Sequence, residues 1–393
     1  MEYKTIRLSD FATINMGQSP KSEYYNYDGD GLPFLQGNRT FGRLFPVFDT
    51  YTTAPTKIAE QGDIIMSVRA PVGDLNIAPT KLCLGRGVCS LKAKNANQTF
   101  LVYLMKHYVK QLIHKESGTV FGSVNRNDIA NLEVSIPEES VQHKIATVLS
   151  SFDTKIELNT AINNNLEQQA QALITNYVSK TPGVTSIGNL LSFVNGFAFK
   201  SGDYLAKGLY KIITIKNVQD GLVDSQGAAG MDDLPVKLPS DCKLNIGDVL
   251  LSLTGNVGRV GIVTENNLLL NQRVAKVKPK NDELLPFIYF VLRLPAMKTE
   301  MENISKGTAQ QNLSPIETLK LQLNFEESTA VELSHTLFSM FNQIVHNMTE
   351  NRHLSEIRDT LLPKLMSGEI DVSKVDISDP SCLDKSLFNC VEG

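Results

Sequence analysis

The sequence predicts an α+β fold: two similar α+β domains separated by two long antiparallel coiled-coil helices, related by a pseudo-two-fold internal repeat. Two observations predict it. Segments of the first half of the 393 residues recur in the second half at an offset of 179 to 188 residues, and each half ends in a long heptad pattern. A period this long exceeds that of solenoid repeats, so each copy is expected to form a domain with its own core.

The repeat is visible as matched segments in the same order. The paired segments are LSDFATINMG (8–17) with IGNLLSFVNG (187–196), GDIIMSVRAPVG (62–73) with GDVLLSLTGNVG (247–258), LGRGVCSLKAK (84–94) with LNQRVAKVKPK (270–280), and EES (138–140) with EES (326–328).

Each copy begins with β-rich runs punctuated by Gly, Pro and Asn. The apolar runs 64–68 and 249–253 predict strands, whereas 100–114 and 286–301 predict helices. The predicted segments are a first domain (1–137), a first helix (138–180), a second domain (181–324), a second helix (325–368) and an acidic tail (369–393).

Heptad spacing identifies the two long helices. The first seam, in steps of four and three residues, is Ile145, Leu149, Phe152, Ile156, Asn159, Asn163, Leu166, Ala170, Leu173 and Tyr177. The second, with the same steps, is Leu333, Leu337, Met340, Ile344, Asn347, Asn351, Leu354, Arg358, Leu361 and Leu365. Such a pattern is typical of a coiled coil. The alternative is that the two helices pack separately, each on its own domain.

Both seams carry Asn at the same two positions near their centres. Buried Asn in a seam fixes register and orientation at some cost in stability. Antiparallel pairing brings Asn159 and Asn163 opposite Asn347 and Asn351, and the connection through the intervening domain favours it over parallel pairing. About 40 helical residues span ~60 Å, so the pair is expected to act as a ruler that holds two similar domains apart.

Composition and motifs argue against several classes of protein: membrane proteins, metal-binding proteins and common enzymes. No apolar run is long enough to cross a membrane, and residues 1–11 lack an apolar signal core, so a cytoplasmic location is expected. The five cysteines have no metal-ligand spacing and are expected to be free thiols. No phosphate loop, dinucleotide fingerprint, HExxH or GxSxG motif occurs, which lowers the expectation of an enzyme.

Charge is distributed unevenly along the chain. The net charge is −4, but residues 1–136 carry +3 and residues 181–323 carry +2, whereas residues 324–393 carry −7. Folding can gather the basic side chains of each domain on one face, so the charge permits a nucleic-acid partner.

Several segments resemble the specificity subunits of type I restriction–modification systems. PEESVQHKIATVLSSFDTKIELNTAINNNLEQQAQALI (137–174) is similar to that family's central conserved helix, and LLPKLMSGEI (361–370) to the end of its second. The remaining similar motifs are VRAPVGDLNIA (68–78), GRG (85–87), GDVLLSLTGNVGRVGIV (247–263), LNQRVAKVKP (270–279) and GTAQQNLSPIETLKLQL (307–323). The resemblance covers roughly residues 1–370.

The resemblance implies a function for each part. The two domains would be target recognition domains that each read half of a split double-stranded DNA site. The helices would set the spacer and bind two methyltransferase (modification) subunits, and restriction/translocase subunits would join them. The chain itself would be non-catalytic and hold no cofactor or metal, because S-adenosylmethionine, ATP and Mg²⁺ are expected on the partner subunits.

The second helix departs from the family pattern at its start. Phe325 and Ala330 stand where the first helix has Pro137 and Gln142. This difference puts in doubt whether the two ends bind their methyltransferases equally.

Candidate DNA-reading residues are amides and cations in loops and Gly-rich turns. Arg and Lys suit guanine or phosphate, and Asn and Gln suit adenine. In the first domain they are Gln36, Asn38, Arg39, Arg43, Arg69, Arg86, Ser123, Asn125 and Arg126. In the second they are Lys200, Lys216, Asn217, Thr254, Asn256, Arg259, Gln272, Arg273, Gln310, Gln311 and Asn312, of which the last three form the strongest candidate loop.

Structural roles remain open for some of these residues. Asn38 and Asn217 recur at equivalent repeat positions and are equally suited to capping turns, while Arg69 and Arg86 can pair with local acids. At the level of the whole protein, the alternatives are a coiled-coil adaptor that binds proteins but no DNA, and an enzyme that methylates or nicks DNA by itself.

Overall fold

A computed structural model describes residues 2–114, 122–305 and 312–373. The chain divides into two compact units. The first comprises Met1–Lys155 and Leu354–Gly393, and the second comprises Ile156–His353. Of the predicted acidic tail (369–393), the part from residue 374 onward lies outside the described residues.

The first unit alternates short strands and helices before its long helix. Its elements are β1 (Tyr3–Arg7), α1 (Leu8–Phe11), β2 (Ala12–Met16), β3 (Tyr25–Asn26), β4 (Leu32–Leu35), β5 (Tyr51–Thr52), β6 (Ile58–Ala59), β7 (Ile64–Ser67), β8 (Leu75–Ile77), β9 (Leu82–Leu84), β10 (Val88–Ala93), α2 (Gln98–His114), α3 (Arg126–Ala130), β11 (Glu133–Pro137) and the start of α4 (Glu139–Lys180).

The second unit repeats this order with one helix divided. Its elements after α4 are β12 (Val184–Ser186), β13 (Leu191–Asn195), β14 (Tyr210–Ile213), β15 (Gly221–Leu222), β16 (Ala229–Met231), β17 (Lys243–Leu244), β18 (Val249–Ser252), β19 (Val260–Ile262), β20 (Leu268–Leu270), β21 (Val274–Pro279), α5 (Leu285–Leu292), α6 (Pro295–Ile304), α7 (Pro315–Leu319), β22 (Gln322–Asn324) and α8 (Glu327–Ser367).

The sheets of the two units share a topology. In the first unit the orders are β2-β10-β7-β8, β3-β5-β4-β9-β6 and β1-β11, and in the second they are β13-β21-β18-β19-β15, β16-β14-β20-β17 and β12-β22. One parallel pair recurs, β4 with β9 and β14 with β20. The predicted α+β fold with an internal repeat is confirmed, and the second unit differs by adding β15 to its first sheet.

The sequence prediction of one helix over 286–301 is wrong. Two helices, α5 and α6, occupy this span, and Leu294 between them is extended with φ −59° and ψ 137°. The cause is Pro295, which has no amide hydrogen and disfavours helical backbone at the residue before it.

Each unit has a core to which both long helices contribute. In the first unit, Phe100 and Leu104 of α2 pack in one buried cluster with Leu149 of α4 and Leu365 of α8. In the second, α5, α4 and α8 likewise share one buried cluster. The alternative in which each helix packs only on its own domain is therefore wrong.

Hydrogen bonds between the long helices show that they run antiparallel. In the second unit, Asn159 Nδ2 donates to Asn351 Oδ1 at 2.9 Å, and Asn347 Nδ2 donates to Asn163 Oδ1 at 2.8 Å. Partner numbers fall on α8 as they rise on α4, and Asp153 with Arg358 continues the series in the first unit. The predicted antiparallel pairing of the Asn residues is confirmed.

Two equivalent glycines lie where a side chain does not fit. A Cβ at Gly17 would overlap the carbonyl oxygen of Gly85, and one at Gly196 would overlap that of Asn271. Both glycines follow the first strand of the main sheet in their unit, and their amides bond to Val88 and Val274.

We therefore expect Gly17→Ala to destabilise the protein by about 1–3 kcal/mol, because the strand must shift to admit the methyl group. Urea unfolding of the full chain measures this effect. Gly37→Ala is the matched control, since a Cβ there meets nothing within 4 Å. Equal stability of the two variants would contradict the close approach.

Candidate nucleic-acid interface

In the first unit, backbone hydrogen bonds gather four loop segments at one edge of the sheets. Val68 N donates to Gly87 O at 2.9 Å, Gly87 N to Gln36 O at 3.0 Å, and Val124 N to Val68 O at 3.0 Å. The segments that follow β4, β7 and β9 and the segment that precedes α3 are thus adjacent. A bridge pairs Arg69 with the last of these segments.

The second unit assembles the same edge with equivalent bonds. Leu253 N donates to Arg273 O at 3.1 Å, Leu313 N to Leu253 O at 2.6 Å, and Asn271 N to Ile213 O at 3.1 Å. The last of these matches the bond from Gly85 N to Leu35 O in the first unit. Thr254 and Asn312 form a bridge here, as Arg69 and Ser123 do in the first unit. Sequence reasoning selected both pairs as DNA-reading candidates, and the fold places the members of each pair side by side.

The loop after β9 is closely packed, and its counterpart after β20 has unusual backbone. In the first unit it is Gly85-Arg86-Gly87, and a Cβ on either glycine would meet the backbone of Gln36. In the second unit Arg273 occupies the position of Gly87 and adopts a left-handed φ of 69°. Non-glycine residues rarely take this conformation, and its persistence often marks a functional loop.

Some predicted residues present exposed polar groups at this edge. Arg69, Arg86 and Arg126 are exposed, and among the described residues no acid lies within ion-pair distance of them. In the second unit Gln272 and Arg273 are exposed likewise. The further exposed candidates are Gln36, Arg39, Ser123, Asn125, Lys200, Lys216, Asn256 and Asn312.

Three candidates of the first domain are engaged with acids. Asn38 Nδ2 donates to Asp74 Oδ2 at 2.6 Å, and Arg39 pairs with Asp49 at 2.6 Å. Hydrogen bonds from Arg39 and Thr50 lower the pKa of the Asp49 carboxyl. Arg43 lies 3.9 Å from Asp153, a residue of α4.

Other candidates hold local structure. Asn217 is only 6% exposed, and its side-chain oxygen accepts from Thr214 N and Oγ1 while its Nδ2 donates to Asp224 O, so the turn-capping alternative describes it. Arg259 donates to Gln219 Oε1 at 2.8 Å. Thr254 is buried, and its Oγ1 has no hydrogen-bond partner in the part of the chain that the structure describes.

The structure also adds residues that the sequence analysis missed. Ser19 Oγ accepts from Arg86 N at 3.1 Å, and Gln18 N donates to Leu84 O, so the turn after β2 joins the edge. The signal available in the sequence was Gly17 at the end of a strand. Two strong candidates, Gln310 and Gln311, lie outside the described residues.

The family follows from a comparison with known proteins. The family model for the type I restriction modification DNA specificity domain matches residues 1–168 and 181–324. The chain therefore belongs to this family, with one match for each half of the repeat. This membership confirms the resemblance and the prediction of a non-catalytic DNA-recognition chain.

Named relatives and a solved structure agree with this membership. A chain named as the MjaX specificity subunit of a type I restriction enzyme in Methanocaldococcus jannaschii is 39% identical over 177 residues, which cover 44% of this chain and 42% of that protein. The MjaIX specificity subunit of the same organism is 23% identical over 419 residues and 95% of both chains.

The crystal structure of a type I restriction-modification system S subunit from M. genitalium has a similar fold. It matches with a TM-score of 0.58 and 17% identity, over 93% of this chain and 96% of that one. At this identity the likeness supports the fold alone.

The described residues contain neither a metal-ligand cluster nor a membrane-spanning helix. In residues 2–114, 122–305 and 312–373, no group of three or more His, Cys, Asp or Glu side chains could hold a metal ion. Within the same ranges, every helix is too short or too polar to cross a bilayer.

Asn125 and Arg126 are neighbours in the sequence but are expected to have different roles, Asn125 in the structure and Arg126 in binding. Asn125 caps α3 in a reciprocal capping box with Asp128, accepting from two backbone amides, whereas Arg126 is exposed. We expect Asn125→Ala to lower the free energy of unfolding by about 1 kcal/mol. We expect Arg126→Ala to leave stability within ~0.5 kcal/mol and to weaken DNA binding.

Urea unfolding and fluorescence-anisotropy titration with duplex DNA, at one salt concentration, measure the two quantities. Equal loss of DNA affinity in both variants, with no loss of stability for Asn125→Ala, would contradict this division of roles.

Proposed function

We propose that this chain is the non-catalytic DNA-specificity subunit of a type I restriction–modification complex, and that each of its two domains reads one half of a bipartite duplex site. The observation that carries the proposal is the recurrence of one loop-lined edge in both units, with exposed cations or amides at equivalent positions. Arg86 and Gln272 occupy one such position.

The same edge with different side chains suits two different half-sites. Arginine favours guanine through a pair of hydrogen bonds, and glutamine favours adenine. The backbone bonds that hold the edge are alike in both units, so the docking geometry would be shared while the bases read would differ.

The two long helices are proposed to set the length of the unread spacer. α4 contains 42 residues and α8 contains 41, and each is continuous through the residue at which the two units divide. At 1.5 Å per residue, each helix is roughly 60 Å long. A continuous helix resists bending more than a loop does, which suits it to fix a distance.

The long helices are also proposed to bind two methyltransferase subunits. On α4, Leu158 and Ile162 are 49% and 46% exposed although both are apolar. They lie four residues apart, hence on one face, and outside the seam that contacts α8. An exposed apolar pair of this kind favours contact with another protein.

The rest of the complex would supply the chemistry. Restriction/translocase subunits are proposed to join the methyltransferases, with S-adenosylmethionine, ATP and Mg²⁺ bound on these partners. A cytoplasmic location follows from the proposed access to chromosomal DNA. The weakly basic domains imply modest affinity for DNA in isolation, so phosphate contacts from partner subunits would contribute to binding.

Single substitutions at the two edges test the half-site assignment. We expect Arg86→Ala to relax the sequence preference in one half of the methylated site, and Gln272→Ala to relax it only in the other half. The loss per bidentate contact is about 1–3 kcal/mol. The measurement is sequencing of methylated adenines in cells that carry the complete system.

The control is Lys81→Ala, which removes a positive charge that pairs with Glu60 at 3.3 Å. It is expected to leave both halves unchanged. Relaxation of both halves by one substitution would refute the assignment of one half to each domain.

Charge on the exposed face of α4 tests the methyltransferase site. We expect Leu158→Asp with Ile162→Asp to abolish co-purification of the methyltransferase, because two carboxylates would be buried at the contact. The matched control places the same charges on another face of α4, as Asn164→Asp with Gln168→Asp, both at exposed positions. Undiminished co-purification of the first variant would place the contact elsewhere.

A further inference from the structure

In the first unit, the domain contacts the long helices through a buried carboxylate, that of Asp153. Asp153 of α4 is 3% exposed and accepts from Tyr103 OH at 2.7 Å. Lys106 Nζ lies 3.3 Å from the same carboxylate, and Arg358 of α8 also pairs with it. We call Tyr103, Lys106, Asp153 and Arg358 the first joint.

The charges of the first joint depend on one another. Burial alone would raise the pKa of Asp153, but Lys106 and Arg358, with hydrogen bonds from Tyr103 and Arg358, lower it below its ordinary value. Burial lowers the pKa of Lys106. Asp153 is removed from water and Lys106 is half-buried, so loss of the ammonium would leave a buried carboxylate with one partner fewer.

The repeat places apolar residues at all the charged positions in the second unit. We call the equivalents of Tyr103, Lys106, Asp153 and Arg358 the second joint: they are Tyr289, Leu292, Phe341 and Ala170. All four belong to one buried cluster, and the rings of Tyr289 and Phe341 lie 5.2 Å apart, edge to face. The same architecture is thus held by ions in one unit and by apolar packing in the other.

The second unit has its own ion pair at a neighbouring position. Arg293, which follows Leu292, pairs with Glu167 of α4, and both side chains are largely buried. The repeat equivalents in the first unit are His107 and Ser355, which carry no such pair. Each domain therefore presents a cation to one carboxylate of α4, Lys106 to Asp153 and Arg293 to Glu167, but at different positions.

The start of each long helix shows the same contrast. Gln142 is buried, donates to Pro137 O at 2.9 Å and accepts from Asn95 at 3.2 Å. In the second unit the equivalent of Gln142 is Ala330, and the ring of Phe325 lies 5.9 Å from that of Phe287. Gln142 therefore connects the start of α4 to the first domain.

The Asn residues in the centre of the seam do not distinguish the two domains, because equivalent Asn residues occur on both long helices. Asn159 and Asn163 are the repeat equivalents of Asn347 and Asn351, so they fix register in the same way whichever domain is attached. The ion pairs, unlike these Asn pairs, differ between the two units.

We propose that α4 carries the determinants of domain placement: Asp153 selects the first recognition domain through Lys106, and Glu167 selects the second through Arg293. Each domain is then accepted only in its own unit. Interchanging the domains would leave Lys106 without Asp153 and Arg293 without Glu167. This placement does not depend on which DNA sequence the domains read.

Point substitutions in the full chain test the first determinant. Asp153→Phe alone leaves the half-buried Lys106 without its carboxylate and Arg358 with only the exposed Asp359, and we expect the melting temperature to fall by roughly 10 °C. The combination Lys106→Leu, Asp153→Phe and Arg358→Ala copies the second joint and is expected to recover most of that loss.

The reverse transfer tests the determinant in the second unit. Phe341→Asp alone and Leu292→Lys alone are each expected to lower the melting temperature by a similar amount. The double variant is expected to recover at least half of the summed loss, because the two new charges pair. Simple packing loss predicts additive effects, so additivity in both units would overturn the proposal.

A chain with the two domains exchanged tests placement directly. Residues 181–324 would stand before α4 and residues 1–137 before α8. We expect this chain to melt well below wild type and to regain stability when the helix residues are exchanged at three pairs of equivalent positions, 153 with 341, 167 with 355, and 170 with 358. Equal stability with and without those exchanges would refute the placement rule.

Discussion

The reciprocal hydrogen bonds between asparagines of α4 and α8 are the constraint on which the remaining structure depends. Asn159 bonds with Asn351 and Asn163 with Asn347, and a slip of register would break both of these bonds. With the register fixed, Asp153 reaches Arg358 in the first unit, and the apolar seam residues of the second unit meet in one cluster. The joints that hold the recognition domains form only in this register.

Periodicity and repetition made the architecture predictable from the sequence. The heptad steps from Ile145 to Tyr177 reflect a strip of side chains on one helix face, which is a local property of the chain. The antiparallel direction followed from the matched Asn positions. The division of the 286–301 helix was missed because the apolar pattern continues through the break, although Pro295 was a readable signal.

The candidate site was predictable only in its location. Residue type and loop position selected Arg69, Ser123, Thr254 and Asn312, and the fold places them in two bridged pairs. They could not show that Arg43 lies near Asp153, because these residues are distant in sequence. They also could not show that the Asn217 side chain caps its own turn, because that depends on the backbone geometry. Base contacts depend on the same tertiary details, so the individual assignments remain predictions.

The edge that gathers the candidate residues is held by backbone amides and carbonyls rather than by the exposed side chains. Arg86 and Gln272 differ completely in chemistry, yet the loops that carry them make equivalent main-chain bonds. Substitution at such positions therefore costs little folding stability. A lineage with this architecture is free to drift toward new target sequences by a few surface changes while its scaffold stays under strong selection.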